Sequence, residues 1–86
     1  MPKTAATTKE GAVLNPTTDL LEVALEELAE ECAHALFLMS RLRRLPQGDE
    51  RDTLEGDLHA SLSHLRMEAT FALKEWDKLI DSLPDD

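Results

Sequence analysis

The sequence has one cysteine, no tyrosine and three glycines, and no apolar run near the roughly 20 residues that span a bilayer. A lone Cys32 excludes an internal disulfide and any zinc site built from several cysteines. Three glycines leave little scope for a phosphate-cradling loop, and neither HExxH nor GxSxG occurs. β-Branched residues are scarce outside the Thr-rich start, so a sheet has little to build with. Residues 1–16 lack the apolar segment of a secretory signal, which makes the cytoplasm the expected compartment. No cofactor and no enzymatic activity are expected from this inventory.

Positive charge is also short. Nine Lys and Arg face 18 Asp and Glu, a formal net charge of -9. That balance opposes direct contact with nucleic-acid phosphates or an anionic membrane, and it permits a basic protein partner.

What is present favours helix. Ala, Leu and Glu dominate, all strong helix formers. From Thr18 onward apolar residues recur at Leu21, Leu25, Leu28, Cys32, Ala35, Met39 and Leu42, alternating steps of four and three along one helical seam. Caps among residues 15–19 open this helix, and Pro46 and Gly48 stop it. A second seam runs through Leu58, Leu62, Leu65, Ala69, Ala72, Trp76, Leu79 and Leu83, and Pro84 ends it.

The expected organisation is a flexible tail over 1–16, helix A over about 18–45, a loop at 46–49, helix B over about 50–83 and an acidic end at 85–86. A loop this short makes the helices antiparallel neighbours. The fold class is therefore all-α, a coiled-coil-like two-helix hairpin. Matched from the loop, the seams place Leu42 near Leu54 or Glu55 and Leu21 near Trp76, which anchors the far end. Helix B outruns helix A, and Val13 and Leu14 are expected to cover Leu79, Ile80 and Leu83.

Two helices cannot enclose a core as four can, and 86 residues bury only a modest surface. A second apolar set remains: Leu36, Phe37 and Leu38 on helix A, and Ala60, His64, Met67 and Phe71 on helix B. These seven residues are the expected interface of a homodimeric four-helix bundle. The functional expectation is a non-enzymatic protein–protein interaction module, an adaptor, chaperone-like protein or regulatory subunit.

Two other readings attach to specific residues. Glu22, Glu26, Glu27, Glu30 and Glu31 form an acidic face able to imitate nucleic-acid phosphates and block a basic groove of a nucleic-acid-processing protein. Glu31 and His34 make a Glu-x-x-His step of the kind di-iron bundles use, and Glu68 falls at a similar level on helix B, giving a candidate metal set. Cys32 reads as a small buried hydrophobe.

Overall fold

The computed structural model describes residues 11–84, and among them it contains two helices and no strand: α1, Asp19–Leu42, and α2, Asp49–Ser82. They pack side by side in opposite directions over extents of 59 × 22 × 17 Å.

Both ends of α1 are secured by side chains. At its start the Thr18 hydroxyl accepts a hydrogen bond from the Leu21 amide at 3.1 Å, satisfying one donor that the first helical turn leaves orphaned. At its end Arg44 and Leu45 turn back onto the carbonyls three residues earlier, and the helix tightens and stops. Arg51 of α2 closes that exit: its Nη1 donates to the Leu42 carbonyl at 2.6 Å and the Leu45 carbonyl at 3.0 Å. A cation thus meets the negative end of the α1 dipole. Gly48, at φ 149°, holds the backbone in a region that favours glycine, and α2 starts one residue later.

The buried seam differs from the expected one in a systematic way. α1 turns Leu21, Ala24, Leu28, Glu31, Ala35, Leu38 and Leu42 inward, and α2 turns Leu54, Leu58, Ser61, Leu65, Glu68, Ala72, Glu75 and Leu79. Every second layer agrees with the sequence pattern. In the other layers Ala24, Glu31 and Leu38 replace Leu25, Cys32 and Met39, and Ser61, Glu68 and Glu75 replace Leu62, Ala69 and Trp76. The expected residues lie beside the seam: Cys32 is exposed, Leu62 is 49% exposed and Trp76 is 37% exposed. Each helix has therefore rotated about its axis away from the middle of its apolar stripe. The register is also shorter. Leu21 and Ala24 cluster with Ala72 rather than with Trp76, and Arg51, not Leu54, stands beside Leu42.

Ten residues longer than α1, α2 projects past it, and the chain before α1 folds over the projection. Glu22 organises this cover. Its carboxylate accepts from the amides of Val13 and Leu14 at 2.9 and 3.2 Å, and from the Thr17 hydroxyl at 2.6 Å. The peptide bond between Asn15 and Pro16 is cis. Leu14 packs on the Leu21–Ala24–Ala72 cluster and, with Pro16, borders a groove formed with Trp76, Leu79, Ile80 and Leu83. Leu14 covers that end as expected. Val13 does not, being 73% exposed, because its amide rather than its side chain is directed at the helix.

The rotated seam carries a cost at Glu68. Its Oε1 is buried and has no hydrogen-bond partner among the described residues, and an unsatisfied buried acceptor forfeits about 1–3 kcal/mol of solvation. Glu68→Met keeps the length of the side chain and removes the polar end. It is expected to raise the urea midpoint by the equivalent of about 1 kcal/mol; a lowered midpoint would show that this carboxylate contributes to the fold.

Candidate interaction surface

The seam divides the rest of the hairpin surface into two long sides, and hydrogen bonds identify one of them. Arg41 donates to Glu50 at 3.0 Å, and Glu31 lies 3.3 Å from His34 Nδ1 and 3.8 Å from His64 Nδ1. Glu27, Met67 and Phe71 line one shallow hollow. Residues 27, 34 and 41 of α1 thus share a side with 50, 64 and 71 of α2. Helical spacing adds Leu20, Val23, Glu30 and Phe37 of α1, with Asp57, Ala60, Lys74 and Lys78 of α2. This side alternates apolar and charged groups. Phe37 is 56% exposed, with the Arg41 guanidinium 6.0 Å from its ring centre, a cation–π distance.

On the opposite side α1 presents Leu25, Ala29, Cys32, Leu36 and Met39. Between Glu22 at one end and Arg43 at the other these positions are uncharged, and Glu26 borders the Leu25–Ala29 end, where Gly11, Ala12 and Val13 line a hollow with them. The adjoining stripe of α2 is Leu62, Ala69, Leu73, Trp76 and Ile80, with Arg66 the one charge among them. Leu36 is 64% exposed and Leu73 61%. Leu14 and Pro16 cover the Trp76–Ile80 end of this side, and the stretch around Cys32, Leu36 and Leu62 stays open.

The seven residues grouped by sequence as one interface are separated by the fold. Phe37, Ala60, His64, Met67 and Phe71 lie on the mixed side, Leu36 lies on the apolar side, and Leu38 lies on neither. At 3% exposure Leu38 belongs to the hairpin core, since its step of three from Ala35 is the one the rotated seam follows. The apolar side is concealed in the sequence because the four-three spacing assigns Leu25, Cys32, Met39, Leu62 and Trp76 to the seam itself.

The acidic face is also smaller than expected. Glu26, Glu27 and Glu30 remain exposed. Glu22 is turned to the segment before α1, and Glu31 has entered the seam, where the Ser61 hydroxyl donates to it at 2.5 Å. Glu31 and His34 are neighbours, as their spacing implies, but Glu68 sits in a different layer beside Ala24 and Glu27. Among the described residues no group of three or more His, Cys, Asp and Glu is arranged to hold a metal ion. No helix among them is long and apolar enough to cross a membrane.

Hydrogen bonds from Ser61 and then His34 hold the Glu31 carboxyl below its ordinary range, with further help from the charge on the two histidines. A carboxyl lowered in the folded state stabilises the fold at pH values above its unfolded range. That contribution is lost as pH falls through the folded value. Glu31→Gln is therefore expected to flatten the loss of stability below about pH 4.5, read as thermal midpoints of both chains between pH 7 and pH 3. Parallel curves for the two would remove Glu31 from the acid response.

The molecule so defined is a two-helix hairpin with buried apolar layers on either side of a polar middle layer and one apolar side that is open over most of its length. No family model, curated protein or solved structure matches the chain.

Proposed function

We propose that this chain is a non-enzymatic interaction module that works as a homodimer, two hairpins closing their apolar sides on each other as a four-helix bundle. One observation carries this reading. The hairpin turns Glu31, Ser61 and Glu75 inward while Leu36, Leu62 and Leu73 remain exposed. A self-sufficient hairpin gains most by burying its richest apolar stripe. A rotation that splits that stripe between the seam and an open side suits a chain that buries the second half against another copy. In four-helix bundles each helix meets two neighbours and needs the wider apolar face. The mixed side, with Glu27 and Glu30, then faces outward and is the surface on which an adaptor or regulatory subunit meets its client.

Light scattering coupled to size-exclusion chromatography tests the association. A mass near twice the 9.6 kDa chain at low and high salt is expected, since apolar burial is not screened. A mass of one chain at every concentration would overturn the reading.

A further inference from the structure

Resting on the homodimer reading, we infer its orientation: the second copy docks antiparallel, with the loop of one hairpin over the open end of the other and the α1 helices stacked across a twofold axis at Cys32.

The α1 stripe is self-complementary about that point. Leu25 and Met39 each stand seven residues from Cys32, and Ala29 and Leu36 stand three and four away. Stacked antiparallel, Leu25 meets the partner's Met39, and the small Ala29 meets the larger Leu36. Arg43 bounds the stripe at one end, and exposed Glu26 stands beside its other end, one turn past Glu22, whose own carboxylate is held by Val13, Leu14 and Thr17. Arg43 makes no ion pair within its own chain among the described residues, and neither does Glu26, one turn from Glu22. A twofold interface requires a patch that fits itself in this way.

Charge on the whole hairpin points the same way. The half made by residues 19–31 and 64–82 carries ten carboxylates and three cations, whereas residues 32–63 carry five and four. A parallel pair, loops together, would lay two strongly acidic halves against each other. The antiparallel pair lays each over a nearly neutral half that holds Arg41, Arg43 and Arg44, and like charges across an interface select against the alternative. The overhang of α2 agrees as well. With the axis level with Cys32 and Leu62, Trp76 and Ile80 reach past the partner's helices, and this is the stretch that Leu14 and Pro16 of the same chain already cover.

The test is oxidation of the native chain with diamide, which takes up the two protons and two electrons released as two thiols join. Disulfides form only where Cα atoms come within about 7 Å, a distance the antiparallel stack gives at Cys32 and the parallel pair, with its α1 helices diagonal, does not. Near-complete conversion to a covalent dimer within minutes is expected, with conversion at least ten times slower for the chain carrying Leu62→Glu. In a Cys32→Ser background, chains carrying Ala29→Cys and Leu36→Cys are expected to cross-link with each other and each poorly with itself. A chain that is dimeric by light scattering yet fails both cross-links would overturn the antiparallel orientation and leave the association standing. A monomeric chain would overturn both.

Discussion

Leu21→Ala is expected to cost about 2–5 kcal/mol of folding stability. Leu21 is the most deeply buried large side chain, at 0% exposure, and it sits where three parts of the chain converge. It packs in one cluster with Ala24 and Ala72, and Leu14, Leu25 and Leu79 close around it. Its amide is also the donor capped by Thr18, which fixes its place in the first turn. Two of its neighbours are alanines, so the gap left by truncation has few long side chains to refill it, and the cost belongs at the upper end of that range. For a small domain, total stability is on the order of 5 kcal/mol, so the variant should lose most of its cooperative thermal transition at 37 °C. Circular dichroism at 222 nm with urea titration measures this. Leu36→Ala, on an open side, is the control in the monomeric state. Equal losses for the two would contradict a core centred on Leu21.

Leu62→Glu is expected to convert the dimer to monomer without unfolding the hairpin. Leu62 is 49% exposed in the single chain, so a carboxylate there remains hydrated and does not disturb the seam. In the dimer it would lie at the centre of the apolar side, close to its own copy. A twofold interface holds each substitution twice. Two central residues at about 2 kcal/mol each weaken association by roughly a thousandfold. Phe37→Glu is the informative comparison. Phe37 belongs to the mixed side under Arg41, and its substitution should leave the dimer mass unchanged. Dissociation by Phe37→Glu with a resistant Leu62→Glu would move the interface to the side holding Met67 and Phe71. Analytical ultracentrifugation across a hundredfold range of concentration resolves these outcomes.

The two helices, their direction and the turn between them were legible in the residues. Ala, Leu and Glu set the helical state, Pro46 and Gly48 interrupted it, and a short connection left the helices no choice but to fold back. The cover over the end of α2 was half legible. Leu14 was identifiable as an apolar residue in a polar stretch, whereas Glu22, which holds that stretch through three hydrogen bonds, read as one member of an acidic row. Arg51 was equally concealed, since nothing in a row of charges marks the one that will cap a neighbouring helix.

The sequence by itself determined that layers recur every seven residues at Leu21, Leu28, Ala35 and Leu42, and at Leu58, Leu65, Ala72 and Leu79. These positions satisfy both the steps of three and the steps of four, so any rotation within the apolar stripe keeps them inside. The layers between them were left open by the sequence. Cys32 or Glu31, Met39 or Leu38, Leu62 or Ser61, and Trp76 or Glu75 each complete an unbroken pattern. Only the tertiary structure decided, by the rotation at which both helices meet. With Arg51 closing the loop end and Leu14 wedged at the other, the helices meet at their Glu31–Ser61 faces. Periodicity records which residues share a stripe. It does not record where within a stripe about 100° wide the neighbouring helix will press, because that angle depends on both helices and the connections at their ends.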